Sequence, residues 1–199
     1  MTVTPVRIAV LASGGGSNLQ ALFDALAAGD VARVTRVVSD RDSAGALDRA
    51  REAGAVATVL DDHSDSAAVL TAVGDADLVV LAGYLKLVPA AVVRRYRWRM
   101  VNIHPSLLPA FGGPGMYGKR VHAAVLASGV KESGATVHYV DELYDRGRII
   151  AQARVPVLPD DTAETLAARV LVAEHALLPR VVLELARRGL PDGPIRLGE

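Results

Sequence analysis

The chain has no cysteine. That absence excludes disulfides, thiolate catalysis and cysteine-ligated zinc. It also lacks any apolar run of the roughly 18 or more residues needed to read as a membrane-crossing helix, because charge or proline breaks each hydrophobic stretch. It has no net charge either, with 22 basic residues against 22 acidic ones. A neutral chain offers no global field to hold nucleic acid or an anionic membrane, so neither is expected as a partner. An anionic ligand must instead be held locally, by backbone amides or a few placed side chains. The start, Met1-Thr2-Val3-Thr4-Pro5-Val6-Arg7, lacks the basic start and long apolar core of a signal peptide, and a cytoplasmic protein is expected. The five histidines form no His-x-x-x-His or similar pair, so no metal is expected.

What is present is a regular alternation. Apolar strand candidates at 7–12, 34–39, 57–60, 78–82 and 100–103 are separated by helical patterns at about 19–28, 44–53 and 66–73, and by one running from Pro89 to about Tyr96. Pro89 suits a first helical position, and Ser17 suits an N-cap. Strand–helix alternation of this kind predicts an α/β fold, a doubly wound and mostly parallel sheet. The later part differs. A long Gly- and Pro-containing loop at 105–118 leads to a helix at 121–128, two strands at 135–140 and 149–155 in a hairpin-like pair, and a long amphipathic helix from about 162 to 188. A chain of 199 residues can bury one substantial core, and no linker or repeat divides it, so one domain over 1–199 is expected.

Two segments carry chemistry. Asn102-Ile103-His104-Pro105 lies where a strand enters a loop, the place where open α/β sheets bind ligands. Asn102 and His104 are two apart, so on a strand they face one side. An amide donor beside a group that titrates near neutral pH can bind a developing oxyanion and manage a proton. Asp145, in Leu143-Tyr144-Asp145-Arg146-Gly147, is the candidate acid, with Gly147 allowing the chain to turn and Asp141 and Glu142 as nearby rivals. An Asn, a His and an Asp from separate strand ends suggest acyl-type transfer without a covalent nucleophile.

The second segment, Gly14-Gly15-Gly16-Ser17-Asn18, follows a strand and opens a helix, a context that presents backbone N–H groups to an anion. A plain strand-to-helix turn is the alternative. The dinucleotide fingerprint fails because Leu19 stands at its third glycine, although Asp40 occupies the place of a ribose-binding acid. The P-loop fails because no Gly-Lys-Ser/Thr follows. A terminal phosphate monoester fits better than a diphosphate.

These segments occur in order with Ala82-Gly83-Tyr84-Leu85-Lys86, Gly134-Ala135-Thr136-Val137-His138-Tyr139-Val140-Asp141, Asp145-Arg146-Gly147-Arg148-Ile149-Ile150-Ala151-Gln152 and Ala173-Glu174-His175. Together they closely resemble the phosphoribosylglycinamide formyltransferases, the folate-dependent family of purine synthesis. The resemblance implies a formyltransferase fold and direct formyl transfer from 10-formyltetrahydrofolate, as co-substrate, to glycinamide ribonucleotide. Asn102 and protonated His104 would then stabilise the tetrahedral intermediate, with Asp145 holding and charge-balancing His104. Gly15, Gly16, Ser17 and Asn18 would hold the substrate phosphate and Glu174 the ribose hydroxyls. Leu85, Lys86, Leu87 and Val88, with the backbone from Val140 and Asp141 onward, would line the folate site. The phosphate-binding half would span about 1–100, the catalytic and folate half about 101–188, and the tail 189–199.

Departures from the family pattern are the Gly112–Gly118 run, which leaves that loop's contacts open, Leu171 in place of a basic phosphate contact, and Arg148 in place of a common proline. His138 reads as a core or site-supporting residue, His122 and His175 as helix-surface or cap residues, and His63 as a loop residue. Within the fold family, methionyl-tRNA formyltransferase and formyltetrahydrofolate hydrolase carry additional domains for which this chain has no room. A non-catalytic phosphosugar-binding module would not need the Asn102, His104 and Asp145 set. We expect a monomer or a weak homodimer.

Overall fold

A computed structural model describes residues 4–198. Strand β1 (Val6–Leu11) leads through the glycine loop to α1 (Ser17–Ala25). There follow β2 (Ala32–Ser39), α2 (Gly45–Glu52), β3 (Val56–Val59), α3 (Ser66–Val73), β4 (Leu78–Leu81), α4 (Ala90–Arg95) and β5 (Met100–His104). The chain continues with α5 (Lys119–Ser128), β6 (Glu132–Tyr139), β7 (Ile149–Pro156) and α6 (Ala163–Arg187). All seven strands form one sheet in the order β3-β2-β1-β4-β5-β6-β7. The first five pair in parallel, and β6 and β7 pair antiparallel. The α/β, mostly parallel architecture expected from the alternation is therefore present.

The strand sequences account for this arrangement. Every residue of β4, Leu-Val-Val-Leu, is buried, as are the last four of β1. Central parallel strands are covered on both faces and so read as unbroken apolar runs. One apolar cluster joins the sheet to α1, α2, α5 and α6, and a second joins it to α3 and α4. The chain runs outward from β1 to β3 and then returns to β4 beside β1. That reversal leaves a crevice outside the carboxyl ends of β1 and β4, where such sheets bind ligands. The turn to antiparallel pairing sets Asn102 opposite His138 and His104 opposite Thr136.

Several boundaries differ from the sequence reading. Helix α1 starts two residues early, and Gly16 (φ 75°) takes the N-cap position with no side-chain bond, so Ser17 is the first helical residue and not the cap. A Cβ on Gly16 would lie 2.9 Å from the Ala46 backbone, so close packing on α2 demands the glycine. Pro89 is the N-cap of α4 rather than its first residue. Strand β6 reaches back to Glu132 because Glu132 and Ser133 pair with Pro156 and Val155, a cross-strand partnership that local polarity hides. Helix α6 is closed by a reciprocal cap between Thr162 and Thr165.

Candidate active site

The glycine loop is held from two sides. On one side the Gly14 carbonyl accepts from Ala46 N–H at 3.1 Å, and the Arg49 Nε donates to the Gly15 carbonyl at 2.8 Å. On the other, Ser13 N–H donates to the Gly83 carbonyl at 3.0 Å, while the Ser13 hydroxyl accepts from Leu85 N–H at 2.9 Å. The loop that opens α1 is thereby fastened to the segment after β4. Asn18 is buried just inside α1, and its Nδ2 donates to Glu174 Oε2 of α6 at 3.0 Å. Burial pushes the Glu174 carboxyl up to about 7, against the lowering effect of the Asn18 bond.

The fold brings Asn102, His104 and Asp145 together, and His138 joins them. His138 Nδ1 lies 2.8 Å from the Tyr139 carbonyl and so carries the hydrogen, leaving Nε2 to accept from Asn102 Nδ2 at 3.0 Å. His104 Nε2 donates to the Phe111 carbonyl at 2.9 Å, and its Nδ1 faces Asp145 Oδ1 at 3.5 Å. Asp145 Oδ1 is also 3.5 Å from Asn102 Nδ2 and 3.6 Å from His138 Nε2, while Oδ2 accepts from Gly113 N–H at 2.8 Å. The three contacts to Oδ1 are longer than normal hydrogen bonds, as catalytic contacts often are before a ligand tightens them.

The backbone explains how Asp145 reaches this point. Asp145 itself takes the left-handed conformation, φ 57°, so the turn expected at Gly147 is made two residues earlier. Gly147 is required for a different reason: a Cβ there would sit 1.7 Å from the Tyr139 carbonyl. The rivals separate clearly. Asp141 accepts from Leu143 N–H in its own turn, and Glu142 pairs with Arg94 at the surface.

The shift on His104 runs against the protonated form that the resemblance implies. Asp145 does favour protonation of His104, and so does the Phe111 carbonyl. Burial outweighs both, helped by the charge of His138, and His104 is pushed below its ordinary value. Burial also acts to raise Asp145, but the Gly113 N–H, and His138 and His104 whenever either ring is protonated, hold its carboxyl below the usual range. Both shifts run in the direction of an ionised Asp145 beside a neutral His104.

A cavity of about 620 Å³ connects these groups. Asn18, Glu174, Asn102, His104, His138 and Asp145 all line it. Leu85, Lys86, Leu87, Val88, Val140 and Asp141 line it as well. Gly15, Gly16 and Ser17 are not in the lining, and Gly15 is exposed. The loop whose contacts were left open supplies wall residues from Gly113 to Gly118, and Leu171 is also part of the wall. Among the described residues no group of three or more His, Asp or Glu side chains is placed to hold a metal ion.

Sequence reasoning missed Tyr84, Met116 and His122, all of which line the cavity. His122 is 4% exposed, not a surface or cap residue. Its burial had a signal, since Val121, His122 and Val125 form one face of α5. His175 is half-buried within α6 rather than at a cap, and its Nε2 has no partner.

Residues 6–182 match the family model described as formyl transferase. Among curated proteins, the chain is 46% identical over 191 residues to the chloroplastic phosphoribosylglycinamide formyltransferase of Vigna unguiculata, covering 92% of this chain and 61% of that protein. It is 44% identical over 193 residues to the phosphoribosylglycinamide formyltransferase of Mycobacterium tuberculosis, covering 94% and 87%. The chain thus spans less than two thirds of the plant relatives, 61% and 64% of the Vigna unguiculata and Arabidopsis thaliana proteins. Among solved structures, glycinamide ribonucleotide transformylase 1 from Symbiobacterium toebii superposes with a TM-score of 0.84 at 42% identity, covering 93% of this chain and 89% of that one. Sheet order, strand-end site and similarity over most of the chain agree, and the chain belongs to the formyl transferase family.

Proposed function

We propose that this chain transfers the formyl group of 10-formyltetrahydrofolate to the amine of glycinamide ribonucleotide. The observation that carries the reading is the convergence of Asn102, His104 and His138 on Asp145 Oδ1, all within 3.6 Å, inside one cavity. The substrate phosphate rests at the mouth of α1, on the N–H groups of Gly15, Gly16 and Ser17 and on Asn18. Glu174 receives the ribose hydroxyls. The folate lies along Leu85–Val88 and Val140–Asp141, where apolar wall and main-chain polar groups suit a flat heterocycle. We read residues 1–199 as one formyltransferase domain, a reading supported by the single continuous sheet.

The chemistry follows from the resting charges. The amine nitrogen attacks the formyl carbon, and the carbonyl electron pair moves onto oxygen. One Asn102 amide hydrogen is committed to His138. The other, in a loose 3.5 Å contact with Asp145, is available to the oxyanion. A donor placed in this way supplies about 2.7–4 kcal/mol. Neutral His104 accepts the amine proton at Nδ1, and the imidazolium formed is balanced by Asp145. Collapse of the intermediate breaks the bond to the folate nitrogen, which takes a proton back from His104. On this reading His104 begins as a base.

The test is formyl transfer with purified protein and both substrates. Wild-type protein should transfer, and His104→Ala should lower turnover by on the order of 10²–10⁴ with much smaller changes in substrate binding. No transfer by the wild type sinks the reading, and near-normal turnover in the variant removes His104 from it.

A further inference from the structure

The cavity wall contains a buried polar side chain to which the mechanism gives no task. His122 lies on the inner face of α5, 4% exposed, and its Nδ1 is sealed from solvent with no hydrogen-bond partner in the structure. An unpaired buried polar atom is costly, and native proteins pair such atoms or leave them for a ligand or water. His122 shares the cavity wall with Asn18, Glu174 and His104, and it lies near enough to His104 to feel any charge there. Burial first, and any charge on His104 second, disfavour the protonated imidazole. A neutral imidazole presents one donor and one acceptor.

The proposed substrate has a matching part. Between its ribose and its reacting amine lies a secondary amide, with one N–H and one carbonyl. With the ribose at Glu174 and the amine at His104, this amide must cross the stretch of cavity between them.

We propose that His122 is a binding residue for the secondary amide of the phosphoribosyl substrate. It aligns the amine toward His104 and takes no part in proton transfer. The inference rests on the formyl-transfer reading and deepens it. Neither ligand phosphate nor folate needs His122, so its contribution should be confined to one substrate.

The experiment measures dissociation constants for glycinamide ribonucleotide and for a non-reactive folate analogue by calorimetry, in wild type, His122→Phe, His122→Leu and His122→Gln. Phe and Leu should weaken glycinamide ribonucleotide by about five- to tenfold, the effect of one neutral hydrogen bond, and leave the folate analogue within about twofold. Gln retains a donor and an acceptor and should recover most of the affinity. The melting temperature of the Phe and Leu variants should equal or exceed that of wild type, because an unpaired nitrogen has been removed from apolar surroundings. Unchanged nucleotide affinity in both Phe and Leu overturns this inference alone. Lower melting temperature with equal loss of both ligands also overturns it, by assigning the ring to the fold. Wild-type protein with no affinity for glycinamide ribonucleotide overturns the formyl-transfer reading and this inference with it.

Discussion

Replacing Glu174 by Gln should stabilise the protein at alkaline pH and not at acid pH. The carboxyl is 7% exposed, and burial raises it from an ordinary 4.5 to about 7. Each tenfold difference in proton affinity is worth about 1.4 kcal/mol, so the folded state favours the protonated form by about 3 kcal/mol. Below pH 4.5 the group is protonated in both the folded and unfolded chain, and its contribution is fully present. Between 4.5 and 7 the unfolded chain gives up the proton while the folded one retains it, and stability falls. Above 7 both are ionised and the loss is complete. Gln is neutral throughout, and its carbonyl can still accept from Asn18 Nδ2, now 3.0 Å away. Urea denaturation of both proteins from pH 4.5 to 8.5 isolates the effect, because all other titrating groups cancel in the difference. The variant should gain about 3 kcal/mol relative to wild type across that range, a rise of roughly 6–12 °C in relative melting temperature for a chain of this size. A difference that stays flat with pH would refute the reasoning and mean that water or a structural change solvates the carboxylate.

Asp145→Asn suits the left-handed backbone at that residue and removes the charge facing His104. The His104 pKa should fall further below its ordinary value and turnover should drop about 10²-fold or more, with little change in binding. An unaltered titration by NMR, together with retained activity, would exclude the pairing. Asn18→Leu should weaken glycinamide ribonucleotide far more than a folate analogue in calorimetry, and equal weakening of both ligands would count against a phosphate site at α1. Leu85→Asp should do the reverse, and a complex with the pterin seated away from residues 85–88 would reject that assignment.

The parts of this site that were legible in sequence are those governed by local rules. Leu78–Leu81 reads as a covered parallel strand because its composition reports burial on both faces. Asn102 and His104 read as neighbours because strand side chains alternate with period two. Asp145 is different, since only the fold brings it beside His104, and its selection over Asp141 and Glu142 rested on the turn expected at Gly147. The role of Gly147 was misread because the Tyr139 carbonyl that excludes a side chain there belongs to the neighbouring strand. The direction of the His104 shift was not legible for a related reason. A nearby carboxylate can be inferred from sequence, whereas the depth at which both groups lie cannot, and depth decides the balance. The helical spacing of His122 carried a signal of burial that the surface-or-cap reading passed over, and that it opens on a cavity required the placement of α6.

Ser13 gives the two halves of the cavity a common datum. Its amide and hydroxyl hold the glycine loop and the Gly83–Leu85 turn in one rigid corner at the ends of β1 and β4. With the phosphate and the folate seated as proposed, a displacement of this corner carries both seats along, so their separation is preserved while their position relative to Asn102 and His104 changes. Sequence drift on the flanking helices can therefore shift the corner as a whole without altering the gap the formyl group must cross. A change at Ser13 should have the opposite character, leaving each seat intact and spoiling their mutual alignment.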